Sequence, residues 1–334
     1  MTGVLLIQLG TPDSPSVSDV RKYLSEFLND PRVIDIPWLL RKILVNLIIV
    51  PFRAPKSAKI YKMLWTEKGS PLLFYSVSLK EKLQTTLGSR YEVELAMRYK
   101  NPSMESVLAR MKSKVYDKII ILPLFPHYAS ASSGSAINKA LDIISQWWVI
   151  PELKIISQFY DNEEYLNSVA AKGKKYNFSD YDHILFSYHG LPVSQVDKVY
   201  NDGKPCENHN CETEINNENR FCYKAVCFAT SRMLAERLNI PIEKYTVSFQ
   251  SRLDKKWLEP FSDKVIAELA QKGVKKLLVF SPAFVADCLE TTVEIGHDYL
   301  QIFKANGGEH LQLVESLNDS PLWVETIKNM VLSQ

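Results

Sequence analysis

Short unbroken apolar runs alternate with stretches of helical period along the whole chain. Val4-Leu5-Leu6-Ile7-Gln8-Leu9 is closed by Gly10-Thr11-Pro12, and Val93-Glu94-Leu95-Ala96-Met97 ends on Arg98. After an amphipathic stretch, Ile119-Ile120-Ile121-Leu122 is broken by Pro123 and Pro126, and Ile155-Ile156 follows. The second half repeats the scheme. Ile184-Leu185-Phe186-Ser187-Tyr188-His189 is closed by Gly190-Leu191-Pro192, and Tyr245-Thr246-Val247-Ser248-Phe249 leads to Arg252. A helical pattern through Val265, Leu269 and Val274 precedes Leu277-Leu278-Val279-Phe280, and Leu311-Gln312-Leu313-Val314 comes last. Continuous apolar strands separated by helices are the pattern of a parallel sheet covered on both faces.

The pattern predicts an α/β protein of two Rossmann-like domains, each with a four-stranded parallel sheet flanked by helices and related by duplication. The G-x-G-x-x-G dinucleotide fingerprint is absent. The expected domains are 1–165, with a hydrophobic lip at about 33–70, and 166–315, with a Cys-rich insert at about 201–228. A final helix in 316–334 is expected to pack back on the first domain. Ligands of such sheets bind beyond the carboxyl ends of the strands. Gln8, Arg98, His127, His189, Arg252 and the Asp287–Glu290 segment all lie just past an expected strand end. If the halves face each other, these groups line one cleft.

Composition narrows the function. The 334 residues are 46% apolar and 23% charged, ordinary for a globular protein. Lys and Arg number 40 against 38 Asp and Glu, a formal charge of +2, which argues against a nucleic-acid partner. No secretory leader and no bilayer-length apolar run is apparent, so the expected location is cytoplasmic. There the five cysteines are expected to be thiols or metal ligands rather than disulfides.

Several groups could carry chemistry. His189 ends an apolar strand, where an imidazole can accept a proton near neutral pH; a structural histidine is the plainer alternative. Glu290, Glu294 and Asp298 are spaced i, i+4, i+8 and would share one helix face, either as a solvated acidic surface or as a carboxylate track for cations or protons. Glu290 would also suit the helix start, where negative charge is favoured. The stretch Ile36 to Pro51 is apolar over most of its circumference. It fits a buried core helix or an interfacial helix, and Arg41, Lys42, Arg53 and Lys56 could then meet anionic lipid or ligand carboxylates. Cys206-x4-Cys211-x10-Cys222-x4-Cys227 lies in a polar insert and reads as a soft-metal site, zinc or iron–sulfur, with His209 leaving a Cys/His zinc site open.

Assembled, these segments resemble the ferrochelatases over nearly the whole chain. The resemblance rests on Gln8-Leu9-Gly10-Thr11-Pro12, Gly69-Ser70-Pro71-Leu72, Met97-Arg98-Tyr99, Pro123-Leu124-Phe125-Pro126-His127-Tyr128, Tyr188-His189-Gly190-Leu191-Pro192, Phe249-Gln250-Ser251-Arg252 and Phe284-Val285-Ala286-Asp287-Cys288-Leu289-Glu290-Thr291, in the family's order. It implies a lyase that inserts ferrous iron into protoporphyrin IX to give protohaem, the last step of haem biosynthesis. It implies catalytic roles for His189 and Glu290, which would also meet the incoming iron, and a metal or proton path through Asp287, Glu294 and Asp298. Gln8, Leu9, Arg53, Tyr61, Arg98, Tyr99 and Trp257 would contact or frame the porphyrin. The lip would make peripheral membrane contact.

Three departures from the family pattern matter. Cys288 stands where some relatives carry a histidine, Ser130 is near the place of an internal cluster cysteine of animal enzymes, and their cysteine-bearing tail has no counterpart before Gln334. A [2Fe-2S] cluster would therefore be held by Cys206, Cys211, Cys222 and Cys227, with zinc as the alternative. The rival activities are a chelatase for another tetrapyrrole or metal, such as coproporphyrin or cobalt, and a non-catalytic haem carrier or iron–sulfur sensor.

Overall fold

The computed structural model describes all 334 residues, which divide into two compact units. Unit 1 comprises 1–125, 129–158 and 318–334; unit 2 comprises 126–128 and 159–317. The chain thus passes out of unit 1 at Gln158 rather than at 165, and it returns for the last helix.

Unit 1 is built on β1 (Thr2–Gly10), β2 (Tyr91–Tyr99), β3 (Lys118–Pro123) and β4 (Glu152–Ile155), all parallel in the order β2-β1-β3-β4. Val4, Leu5, Leu6 and Ile7 are fully buried. Helices cover both faces, which is why the strand sequence is continuously apolar instead of alternating. One face buries Leu5, Ile7 and Ile121 against Met104, Val107, Leu108, Ala136 and Ala140. The last helix, Pro321–Leu332, packs on helix Pro71–Leu87, and Ser78 and Lys82 bind the Asp319 carboxylate just before it.

Unit 2 repeats the plan with β5 (His183–His189), β6 (Tyr245–Gln250), β7 (Lys276–Phe280) and β8 (His310–Leu313), parallel in the order β6-β5-β7-β8. The two orders are the same once each unit's strands are counted from its own first strand. That shared permutation supports the duplication expected from the strand pattern. Leu185, Leu277 and Val279 form its core with Ile266, Ile295, Tyr299 and Phe303.

The apolar stretch after Pro37 is not a core helix. A helix runs from Trp38 to Leu64, with a π-helical segment at Leu44–Ile49 in its middle. Pro51 lacks an N–H and its ring crowds the preceding turn, and the wider π turn lies just where that crowding falls. Its outer side leaves Trp38 64%, Leu47 70% and Phe52 74% exposed. Arg41 departs from the expectation of a contact with lipid or ligand. It is buried, and its Nη1 donates to the Ile36 and Ile34 carbonyls at 2.8 and 3.3 Å, tying down the start of the lip. Arg53 and Lys56 are exposed and Lys42 is half-buried. No helix is long and apolar enough to cross a membrane.

Candidate functional site

Unit 2 gathers its chemistry where β5 and β6 end. His189 is paired with Gln250 in the parallel ladder, and the Gly190 N–H donates to the Gln250 carbonyl at 2.7 Å. The chain passes so close here that a Cβ on Gly190 would stand 2.8 Å from that carbonyl and 3.3 Å from the Trp257 ring. Only glycine fits. His189 itself is half-buried between Trp257 and Phe284, with ring centroids at 6.3 and 6.4 Å. Its Nδ1 lies 2.6 Å from the Gly190 carbonyl oxygen. A carbonyl only accepts, so Nδ1 is a donor here, and in the neutral ring Nε2 is then the nitrogen with the free lone pair.

The segment after β7 brings the carboxylates. It enters a π-helix, Leu289–Tyr299, instead of the expected α-helix. Cys288 caps it: its N–H donates to Thr291 Oγ1 at 2.9 Å. Burial pushes the Cys288 thiol well above its ordinary value, and the neighbouring Glu290 charge and hydrogen bond add to this. In a π-helix the i→i+5 ladder widens the turn, so residues four apart still lie on one side. Glu290 and Glu294 are half-buried, whereas Asp298 is exposed and its carboxylate is 2.8 Å from His297 Nδ1. Asp287 accepts from the Ser316 N–H at 3.2 Å.

Gln250 connects the two parts. Its side chain, almost fully buried, accepts from Ser187 Oγ at 2.8 Å and donates to the Glu290 carbonyl at 3.0 Å and to Glu294 Oε2 at 3.2 Å. The Ser251 N–H and Tyr299 hydroxyl each donate to Glu294 Oε1 at 2.9 Å, and the Ser251 hydroxyl to Oε2. Ser251 has φ +60°, the left-handed region that a residue with a side chain seldom occupies, and this turn aims both of its donors at one carboxylate. Burial and then the Glu294 charge raise the Tyr299 pKa, so its hydroxyl remains a donor. The sequence contained Gln250 and Ser251 in a recognisable motif but gave no sign of their partner. Tyr299 carried no signal beyond its place in an acidic helix.

Unit 1 holds a different arrangement at the corresponding strand ends. Gln8 is buried and accepts the Leu9 N–H at 3.1 Å; Leu9 is half-buried. Arg98 forms an ion pair with Asp30 at 2.5 Å, and its Nε donates to Ser135 Oγ at 2.6 Å. The Tyr99 and Ser135 hydroxyls donate to the same Asp30 oxygen, at 3.0 and 2.5 Å. Burial opposes ionisation of Asp30, but the Ser135 and Arg32 N–H hydrogen bonds and the Arg98 charge outweigh it and hold the carboxyl below its usual range. Tyr99 and Tyr61 are packed in the core, the latter edge-on to Tyr23 at 6.2 Å. Asp30, with no motif around it, was missed from the sequence.

The Cys-rich insert brings three of its four thiols together. Cys206, Cys211 and Cys222 are buried, with Sγ–Sγ separations of 3.4, 3.4 and 3.7 Å. The Tyr200 hydroxyl lies 2.8 Å from Cys211 Sγ, and the His209 ring stacks on Tyr200 at 3.7 Å. Hydrogen bonds from Cys206 and Cys211 hold the Cys222 thiol well below its ordinary pKa. Cys227 is not part of this group. It is fully buried, and that burial raises its pKa well above the usual thiol range, while the Tyr223 hydrogen bond opposes the rise. Three clustered thiols suit a soft metal, but they do not supply the four cysteine ligands of a [2Fe-2S] cluster.

The comparisons agree with this architecture. The solved SirB from Bacillus subtilis with Fe3+ superposes with a TM-score of 0.57 at 11% identity, covering 99% of this chain and 94% of that one. CbiX, the terminal enzyme for biosynthesis of siroheme in denitrifying bacteria, gives 0.50 at 12% identity, covering 99% and 98%. These likenesses carry the fold alone. By sequence, a ferrochelatase of Legionella pneumophila (strain Lens) is 45% identical over 336 residues, 99% of either chain. One of Coxiella burnetii (strain Dugway 5J108-111) is 44% identical over 331 residues, 98% of this chain and 92% of that relative. The sequence profile of the Ferrochelatase family matches residues 1–334. With that match along its full length and curated relatives at this identity, the chain belongs to the ferrochelatase family.

Proposed function

We propose that the chain is a lyase that inserts ferrous iron into protoporphyrin IX to give protohaem, with His189 and Glu290 as its catalytic pair. The observation that carries this reading is the tautomer of His189. Nδ1 is committed to the Gly190 carbonyl, so in the neutral ring Nε2 is the acceptor, and Gln250, the ladder partner of His189, reaches the Glu290 backbone carbonyl and the Glu294 carboxylate. A free-base porphyrin loses two pyrrole protons as the divalent metal enters. Nε2 of His189 takes up a proton, and Glu290, with Glu294, Asp298 and Asp287 behind it, delivers iron or relays protons. Because Gln250 donates to the Glu290 carbonyl, the backbone there is fixed, and the Glu290 carboxylate takes its hydrogen bond from the Cys288 thiol.

Trp257, next to His189, is a porphyrin-contacting residue, as are Leu9 and Arg53 on unit 1. Gln8, Tyr61, Arg98 and Tyr99 act from behind as a frame, in keeping with their burial or ion pairing. The exposed apolar face of Trp38, Leu47 and Phe52, with Arg53 and Lys56 exposed beside it, suits peripheral contact with an anionic membrane on its cytoplasmic side. In the insert, the buried thiols hold a resident soft-metal centre, for which [2Fe-2S] and zinc are the two candidates.

The test is an anaerobic assay of ferrous iron with protoporphyrin and, separately, coproporphyrin. Protohaem formation that saturates with protoporphyrin is expected. Turnover of coproporphyrin alone would move the substrate assignment, and porphyrin binding without metallation would remove the enzyme reading.

A further inference from the structure

The three thiols of the insert constrain the metal centre more tightly than its composition does. In a [2Fe-2S] cluster two thiolates bind each iron. Any three of the four ligands then include sulfurs on different irons, and these stand apart by the width of the inorganic core. Cys206, Cys211 and Cys222 do not divide in this way, because all three separations fall between 3.4 and 3.7 Å. Bonds of about 2.3 Å at tetrahedral angles place sulfur neighbours roughly 3.8 Å apart on one metal. The observed triangle is close to one face of that tetrahedron.

The chain around the thiols is built to keep this triangle. The Cys206 N–H donates to Asp197 Oδ1 at 2.8 Å, and Asn210, in the left-handed region at φ +51°, turns the chain into Cys211. Asn219 is fully buried: its Oδ1 accepts the Asn216 N–H at 2.8 Å and its Nδ2 donates to the Glu214 carbonyl at 3.0 Å. Cys222 is the N-cap of helix Tyr223–Arg237. Five residues along an α-helix turn about 140° around its axis, which carries Cys227 away from the other three. It lies instead among Tyr165, Tyr188 and Tyr223. A loop held by polar contacts and three inward thiols, with little apolar material, is the kind of segment a structural metal stabilises.

We infer that Cys206, Cys211 and Cys222 bind a single thiophilic divalent cation of the zinc class, and that Cys227 is not a ligand. This rests on the reading above that the insert carries a resident metal. The Tyr200 hydroxyl, at 2.8 Å from Cys211 Sγ, is a hydrogen-bond donor to the coordinated sulfur and a positioning residue. The fourth corner is filled by a ligand other than a cysteine of this chain.

The full-length protein, purified anaerobically from cells supplied with both iron and zinc, is analysed for metals and acid-labile sulfide. The metal-free protein is then titrated with cobalt(II), whose thiolate charge-transfer and tetrahedral d–d bands report coordination directly. The expected result is about one zinc per chain without sulfide, and cobalt bands that saturate at one equivalent. Cys227→Ser is expected to retain that stoichiometry, and Cys206→Ser to reduce bound metal by about tenfold or more. Stripping the metal is expected to expose 200–221 to protease while the rest of unit 2 stays resistant. Two irons and two sulfides per chain would overturn the inference and leave the resident-metal reading standing. No metal in the isolated protein and no cobalt binding would overturn both. Because the cobalt titration uses the unsubstituted chain, poor folding of either variant does not shelter the claim.

Discussion

The two units end their first strands alike and use the ends differently. Gly10 follows Leu9 in unit 1 as Gly190 follows His189 in unit 2, and in both the neighbouring strand supplies the next polar group, Arg98 or Gln250. Both units also place a π-helical segment after their third strand, Ser130–Gly134 and Leu289–Tyr299. In unit 1 the central carboxylate, Asp30, meets a guanidinium and is neutralised. In unit 2 the central carboxylate, Glu294, is held by Gln250, Ser251 and Tyr299, all neutral donors. The nearby cation Arg252 is engaged with Asp263 at 2.5 Å. Neutral donors fix a carboxylate in place without cancelling its charge. One copy of the scaffold pairs its carboxylate with a cation as a strut, and the other holds its carboxylate with neutral donors alone.

The comparison breaks most visibly at the pair Leu9 and His189. His189→Ala should lower iron insertion by about 10²–10⁴-fold while protoporphyrin still binds, as read by anaerobic turnover and porphyrin fluorescence. Leu9→Ala should change KM and leave kcat within about threefold. A His189→Ala variant at the parent rate would end the assignment.

Next come the two carboxylates. Asp30→Asn leaves the Arg98 charge unpaired in a site where Arg98 is only 14% exposed, and should cost about 3–5 kcal/mol in urea unfolding. Glu294→Gln faces only neutral donors and should cost about 1–2 kcal/mol, yet slow turnover more than Asp30→Asn does at a temperature where both are folded. Reversed ranks would mean that unit 2 holds the strut.

A smaller effect separates buried from working histidines. His127 is enclosed by Tyr160, Tyr188 and Tyr223, and its Nε2 is 2.9 Å from Thr230 Oγ1. Burial lowers its pKa from 6.5 to about 3. The unfolded chain therefore binds the extra proton between those values, so this contribution to stability is intact above pH 6.5 and is lost as pH falls towards 3. His127→Asn should flatten the acid limb of the stability curve by at most about 1.4 kcal/mol per pH unit. An unchanged limb would show that His127 is protonated in place. The smallest change is expected from Tyr299→Phe, about 1 kcal/mol of stability. Its turnover should fall less than that of Glu294→Gln because Glu294 loses only one donor, and unchanged turnover would make Tyr299 packing alone.

The sheet architecture was legible because strands buried on both faces are written as unbroken apolar runs, as at Val4–Ile7, Ile119–Leu122 and Leu277–Phe280, whereas the edge strands β4 and β8 are short and partly exposed and mix polar with apolar residues. The places of His189 at a strand end and of Glu290 at a helix start were legible from the apolar runs and motifs that precede them. The π-helix was not, since Glu290, Glu294 and Asp298 satisfy either helical period. Asp30 and Arg98 are 68 residues apart, and nothing local to either announces the other. The cysteine spacing gave no sign that three thiols would gather and the fourth lie outside the group. Four intervening residues look like a repeated ligand pair, but between Cys222 and Cys227 they begin a helix. The lip was ambiguous because a buried helix and an exposed apolar one have the same composition, and only the surrounding chain decides which face is covered.

The return of the chain to unit 1 has a consequence for synthesis. Helix Pro321–Leu332 packs on helix Pro71–Leu87 of a unit whose sheet is already encoded by residue 155. Between them the ribosome must make all of residues 159–317, roughly 160 residues, or about ten to thirty seconds at ordinary elongation rates. Throughout that interval the nascent first unit waits with one helix flank uncovered, while the nested unit can complete its own sheet. The protein is therefore expected to finish its first-made half last, and that pause is where a chaperone would find its binding surface.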